Sequence, residues 1–172
     1  VVALPCLSAD MQLALYTEEY PPINYSAEGK PSGIGTAIVA EIMRRAGITT
    51  SVAVVPWARG YRTVQTTPNT GLFVTSRTPQ RETMFHWVGP LVRTQGMLYA
   101  RRSAQISIGS LADAAKLGLV AVPRDWYLQQ LLENAGLKNL YPVVTPVNAF
   151  QMLQSGRVAL AAIDDVNLHS TV

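Results

Sequence analysis

Apolar residues along this chain switch repeatedly between a spacing of two and a spacing of three to four, with short polar turns at each switch. That alternation restricts the fold to strands and helices in parallel α/β succession. Residues 12–16 read as a strand, after which Tyr20-Pro21-Pro22 opens a loop. Beyond a turn around Gly29 to Gly33, Ile34, Ala37, Ile38, Ile42 and Ala46 recur at helical spacing, and Gly47 is placed to cap the end. Residues 52–55 form a second predicted strand, and Pro56-Trp57 starts a helix that Thr67-Pro68-Asn69 breaks. Residues 72–75 predict a third strand. A polar loop follows, with Thr78-Pro79 as N-cap and first-turn pair of a short helix reaching Phe85. Strand, polar loop and helix N-terminus in that order favour an anion, because unpaired N–H groups and the helix dipole point outward there.

The chain is extended again over residues 91–100, and then the pattern restarts. Ser110-Leu111-Ala112-Asp113 has the form of a capping box with Asp in place of Glu. Strands are predicted over 119–122, 140–144 and 158–163. Between them lie a helix capped by Asp125 and ending at Gly136, and a helix over 147–155 closed by Gly156. No short-period repeat is present.

At 48% apolar and 15% charged, the 172 residues can bury a sizeable core, as one large domain or two small lobes. The formal charge is +3, but the fourteen Lys and Arg are scattered, with only Arg44-Arg45 and Arg101-Arg102 adjacent. A nucleic-acid surface needs a clustered basic stripe, so no nucleic-acid partner is expected. No apolar run reaches the ~18 residues of a membrane-spanning helix. Residues 1–9 are apolar, end in small residues and precede the first charge at Asp10, which is the pattern of a signal-peptide remnant cut after Ser8 or Ala9. A buried first strand is the alternative, which Pro5 disfavours. Cys6 is the single cysteine, so no intrachain disulfide forms, and Leu4-Pro5 before it makes a poor lipid-attachment motif. His86 and His169 stand alone without metal-site spacing, so neither a metal nor a cofactor is expected.

Five segments together carry a resemblance. They are Leu15-Tyr-Thr-Glu-Glu-Tyr-Pro-Pro22, Gly33-Ile-Gly-Thr36, Pro56-Trp57, Ser76-Arg-Thr-Pro-Gln-Arg81 and Phe85-His-Trp-Val-Gly-Pro-Leu91. In these motifs, and over nearly all of residues 12–165, the chain resembles the bacterial extracellular solute-binding proteins of the polar amino-acid uptake type (family 3). The resemblance implies an α/β, two-lobed, type II periplasmic-binding-protein-like fold, each lobe a mixed, mostly parallel sheet flanked by helices. It sets lobe 1 at residues 10–98, lobe 2 at 99–165 with hinge strands at both ends, near Tyr99 and Ile163, and a return to lobe 1 beginning at 166–172. Lobe 1 is then expected to be incomplete at its C-terminal side.

By the same resemblance Arg81, the arginine of the Thr-Pro-x-Arg motif, clamps the ligand carboxylate, and Ser76 adds a hydroxyl donor. A guanidinium offers the planar fork that a carboxylate fits. The alternative is a surface arginine paired with Glu82 or nearby acids. Tyr20 and Trp57 match aromatic positions that sandwich the ligand side chain, although Trp57 also suits ordinary core packing. Asp164 matches the carboxylate that receives the ligand's ammonium, with Asp165 as its alternative. Two charged anchors of opposite sign on opposite lobes would favour the closed state when ligand binds.

The chain departs from the family after residues 119–122, where a small Gly-Ser/Thr-Thr loop is replaced by Arg124-Asp125-Trp126-Tyr127. These bulky residues either block backbone approach to the ligand or replace it with the Trp126 indole wall. Arg124 is a candidate second cation for a dicarboxylate or other anionic ligand.

The resemblance implies a monomeric, non-enzymatic periplasmic receptor of Gram-negative type. It captures an amino acid or related carboxylate and delivers it to the membrane permease of an ABC transporter. Two alternatives share the scaffold: a periplasmic dehydratase of the cyclohexadienyl or arogenate type, and the ligand-sensing domain of a membrane signalling protein. The dehydratase needs a general acid, for which only Glu18, Glu19 and Asp164 are near by sequence.

Overall fold

Residues 12–166 are described by the computed structural model. The expected signal remnant at 1–9, with Cys6, lies outside the described residues, as do His169 and all of the expected return segment except Val166. The chain divides into two compact units. One takes in the chain as far as Arg77 together with Arg81–Val92, and the other takes in Thr78–Gln80 and the chain from Arg93 onward. The division thus falls at 92/93, where the sequence pattern put it at 98/99.

In the first unit, elements run β1 (Leu13–Thr17), β2 (Tyr25–Ala27), β3 (Lys30–Ser32), α1 (Ile34–Ala46), β4 (Thr50–Val54), α2 (Trp57–Thr66) and β5 (Thr70–Leu72). The sheet order β4-β1-β5 is parallel throughout and puts β1 in the middle. Successive β1 side chains face opposite sides. Leu15 joins Val39 and Phe73 in the core under α1, and Tyr16 lies with Leu72 against Gly60 of α2. α1 buries Gly35 and Val39, with Met43 packed on the core. That face is offset from the predicted stripe: Ile34 is exposed, and Ala37, Ile38 and Ile42 line a shallow outer groove with Glu41 and Arg45. Gly47 closes α1 in the left-handed conformation, φ 66°, as expected.

Gly33 enters α1 at φ 110°, and a Cβ there would lie 2.3 Å from the Ile23 carbonyl oxygen. Only glycine permits that approach. β2 and β3 form an antiparallel hairpin turned at Glu28 and Gly29, both at positive φ. From sequence this segment reads as a loop and turn, since each strand is three residues long and Pro31 interrupts the second.

The predicted helix from Thr78 to Phe85 is absent. One 3-10 turn, Glu82–Met84, stands there with Arg81 as its N-cap and no buried residue. A single turn with no apolar face to bury is not stable as an α-helix, and Arg77 instead forks onto Glu82 across the loop. The anion site expected at that helix N-terminus is corrected accordingly. The third strand also ends at Leu72, short of the predicted Thr75.

The second unit contains β6 (Gly96–Tyr99), α3 (Leu111–Ala114), β7 (Val120–Pro123), α4 (Tyr127–Asn134), β8 (Leu140–Val143), α5 (Pro146–Gln154) and β9 (Leu160–Asp164). Its sheet order is β6-β9-β7-β8, with β6 antiparallel to β9 and the rest parallel. β7 and β9 are buried along their whole length, as continuous apolar runs covered on both faces should be. Val120, Val122, Leu160 and Ala162 pack with Leu128 and Leu132 of α4 on one face. Ala121, Ala161 and Ile163 pack with Ala149 and Leu153 of α5 on the other.

The N-cap half of the Ser110–Asp113 box forms, the Asp113 N–H donating to Ser110 Oγ at 3.3 Å, while Asp113 Oδ2 accepts from the Ser110 hydroxyl at 2.9 Å and from the Gly109 N–H at 3.3 Å. The expected Asp125 cap does not form. Asp125 sits at φ 63° with its N–H donating to Gln129 Oε1 at 2.8 Å, and Trp126 becomes the N-cap. The side chain of Gln129 reaches back from inside the helix only to that N–H, which lies before the N-cap, and Trp126 supplies no side-chain cap to the first turn.

Candidate functional site

Open parallel sheets place ligands outside the carboxyl ends of their strands, where neighbouring connections leave in opposite directions. Each residue singled out from the sequence follows such an end. Tyr20 comes after β1, Trp57 after β4, and Ser76 and Arg81 after β5. In the second unit Arg124 and Trp126 come after β7, and Asp164 is the last residue of β9.

In the first unit the arrangement centres on Arg81, which is 2% exposed. Its guanidinium carbon lies 5.1 Å from the centre of the Trp57 ring and 5.2 Å from that of Tyr61. Nη1 donates to the Ser76 carbonyl oxygen at 3.3 Å. A cation against ring faces is attracted by their quadrupole, more strongly where water is excluded. Arg81 is therefore not the surface arginine paired with Glu82 that the sequence left as an alternative; Arg77 takes Glu82 instead. In that exposed pair the Glu82 carboxyl is lowered and the Arg77 guanidinium raised, each mainly by their mutual hydrogen bond. Arg77 also lies 5.8 Å from the Trp87 ring, whose indole N–H donates to the Glu82 carbonyl oxygen.

Trp57 opens α2 and is buried. It stacks on Tyr61 at 5.4 Å and 27°. Tyr61 meets Phe85 edge-on at 5.6 Å, and Phe85 meets Trp87 likewise at 5.8 Å. Tyr20 is buried, its backbone N–H donating to the Asn24 carbonyl oxygen at 2.7 Å and its own carbonyl accepting from Ile23 and Asn24. Ser76 meets Arg81 through its carbonyl, where the sequence had suggested its hydroxyl for the ligand.

In the second unit Asp164 is 2% exposed, and its Oδ1 accepts a 2.5 Å hydrogen bond from the Tyr127 hydroxyl. The Tyr127 phenol is pushed well above the ordinary tyrosine value, first by burial and then by that bond and the Asp164 charge. Tyr99 is raised too, by burial and then by the charges of Asp165 and Asp164. The exposed Asp165 instead accepts from the backbone N–H groups of Gln95 and Val166, which fastens the end of the strand. Trp126 is buried and Arg124 exposed, the latter tied by its N–H to the Val143 carbonyl oxygen at 2.8 Å.

Two functional candidates escaped the sequence reading. Tyr61 is four residues past Trp57 and so shares its helical face. Tyr127 closes the same Arg-Asp-Trp-Tyr segment that supplied Arg124 and Trp126. Among the described residues no group of three or more His, Cys, Asp or Glu could hold a metal ion, and no helix is long and apolar enough to cross a membrane.

No family model and no curated protein matches the chain. Solved structures do. A histidine kinase sensor domain with similarity to periplasmic binding proteins superposes with a TM-score of 0.86 at 21% identity, over 93% of this chain and 71% of that one. An ancestral amino-acid-binding protein, described as a precursor of cyclohexadienyl dehydratase, gives 0.79 at 18% identity, over 94% and 75%. An ancestral arginine-binding protein bound to glutamine gives 0.75 at 23% identity, over 93% and 72%. The chain has the mixed α/β fold of the periplasmic amino-acid-binding proteins.

Proposed function

We propose that this chain is an extracytoplasmic solute-binding domain that captures a small carboxylate-bearing ligand, an amino acid or a related acid. The observation that carries this reading is Arg81: a buried guanidinium held against two aromatic faces, beyond the carboxyl end of a parallel strand. A planar fork fixed in that way is prepared for a carboxylate before one arrives, which lowers the ordering cost of binding. In this reading Ser76 adds a donor, and Tyr20 and Trp57 supply apolar walls. Asp164 receives the ligand's ammonium, Trp126 forms an indole wall and Arg124 is available to a second anionic group. The protein acts as a monomer in the periplasm and passes its ligand to the permease of an ABC transporter.

A sensory role is the second reading, favoured by the superposition on the histidine kinase sensor domain. A dehydratase role is the third, favoured by the dehydratase precursor.

A thermal-shift screen of amino acids, dicarboxylates and prephenate-like acids separates the two binding readings from the dehydratase. A ligand at a hundred times its dissociation constant adds about 2.7 kcal/mol of stability, or about 5–10 °C in Tm for a chain of this size. A compound that shifts Tm and is recovered unchanged supports binding, whereas one that is consumed moves the protein to the enzymes. Arg81→Ala is expected to weaken binding of the identified carboxylate at least about thirtyfold, the lower end for truncating one partner of a buried charge pair. Arg81→Lys, which keeps the charge and loses the fork, should recover little of it. Unchanged affinity in calorimetry for Arg81→Ala would remove the carboxylate assignment.

A further inference from the structure

We propose that Tyr61 is a positioning residue for Arg81: its ring face sets the plane of the guanidinium and so decides which edge of the fork is presented to a ligand. The proposal deepens the reading of Arg81 as the carboxylate anchor and rests on it.

Arginine carries several rotatable bonds, so a guanidinium left to itself samples many planes, and only some point two N–H groups at one carboxylate. Two ring faces narrow that choice. Trp57 and Tyr61 lie 27° from parallel and 5.4 Å apart, and the Arg81 guanidinium carbon is almost equidistant from their centres, at 5.1 and 5.2 Å. The third restraint is the Ser76 carbonyl oxygen on Nη1, which occupies one end of the fork.

Tyr61 is anchored to the chain that follows Arg81. Phe85 meets it edge-on at 5.6 Å, and its hydroxyl donates to Met84 Sδ at 3.6 Å. Both partners come from the segment directly after Arg81, so Tyr61 ties the arginine and the chain that follows it to one face of α2. Trp57 opens that helix, whereas Tyr61 sits a full turn inside it, held by the helical ladder on both sides. Were Tyr61 core packing alone, any apolar residue of similar volume would replace it without effect on Arg81. If it orients the cation, the ring is required and the hydroxyl is not.

The experiment uses the full chain with Tyr61→Phe, Tyr61→Leu and Tyr61→Met. Proton NMR of the Arg81 side chain, identified by its loss in Arg81→Ala, reads the geometry without any ligand, because ring currents move protons above an aromatic face upfield. The upfield Arg81 Cδ protons should persist in Tyr61→Phe; in Tyr61→Leu the NOEs between Arg81 and the Trp57 indole should weaken at least twofold, which loss of the Tyr61 ring current alone would not cause. Tyr61→Met answers the same question if Tyr61→Leu does not fold. Calorimetry with L-arginine and L-glutamine as probes should show an affinity loss of about tenfold for Leu and Met, and of less than about threefold for Phe.

Arg81–Trp57 NOEs unchanged in Leu or Met would overturn the assignment, as would equal affinity losses for Phe and Leu. If the wild type binds neither probe, the solute reading fails for those compounds, while the Arg81–Trp57 NOEs still decide the role of Tyr61.

Discussion

The Tyr127 hydroxyl donates to Asp164 Oδ1 at 2.5 Å, and that bond links a buried residue to the protein's behaviour at alkaline pH. Because the folded phenol is raised above the ordinary value of 10.0, both folded and unfolded chains keep the proton below about pH 10 and the contribution is constant there. Above that pH the unfolded chain loses its proton first, so stability falls as pH rises until the folded phenol ionises. Tyr127→Phe should lower stability at neutral pH by about 1.5–3 kcal/mol, the range for a hydrogen bond to a charged group. It should also flatten the alkaline slope, leaving the smaller part due to Tyr99, whose phenol is raised in the same direction. Urea unfolding at pH 7 and across pH 9–11 measures both, and an unaltered slope would show that this bond does not govern the titration. At this scale Arg81 and Asp164 stood out through the resemblance, Arg81 by its Thr-Pro-x-Arg motif and Asp164 by its place at the end of the last strand. Tyr61 and Tyr127 did not, since an aromatic at helical spacing looks the same in sequence whether it fills a core or orients a charge.

Element by element, the sequence was clearest where local chemistry and burial agree. α1 runs from Ile34 to Ala46 and is closed by Gly47 as its spacing predicts, and the buried runs of β7 and β9 sit where continuous apolar residues put them. The face of α1 was misjudged because Ile and Ala offer two competing stripes. Small Gly35 lets Ile23, Asn24 and Val74 approach on the stripe with Val39 and Met43, and a Cβ at Gly35 would already lie 2.6 Å from Asn24 Oδ1. The segment after Thr78 was misread for a different reason. Its capping residues are those of a helix, but the Arg77–Glu82 fork and the stacked Arg81 hold it open, and neither contact has a sequence signature. The entry to α1 carries a prediction. Gly33→Ala forces a side chain at φ 110° against the Ile23 carbonyl, so it should destabilise the fold by about 3 kcal/mol or more. A midpoint unchanged in urea would mean that the 20–24 loop yields easily.

Over the molecule as a whole, the two units have cores of different depth. β7 and β9 bring Val120, Ala121, Val122, Leu160, Ala161 and Ile163 to zero exposure, whereas the described core under α1 rests on Leu15, Val39 and Phe73, each 6–7% exposed. Local opening is rarest where burial is deepest. Native-state hydrogen exchange should therefore find the slowest amides in β7 and β9, with those of β1 and β4 exchanging sooner. The reverse order would show that β1 and its neighbours draw their stability from something other than apolar burial.

The antiparallel pairing of β6 with β9 has a topological corollary. Gly96 lies opposite Asp164, so the strand that leads into this sheet and the strand that leads out of it are neighbours, about 4.8 Å apart. The polypeptide between them is a closed circuit with adjacent ends. Such a circuit can be spliced into a surface turn of an unrelated host without stretching it. It can equally be reopened elsewhere: joined near residues 93 and 166 and cut at the turn around Gly136, it would keep every strand pairing while its chain order is permuted.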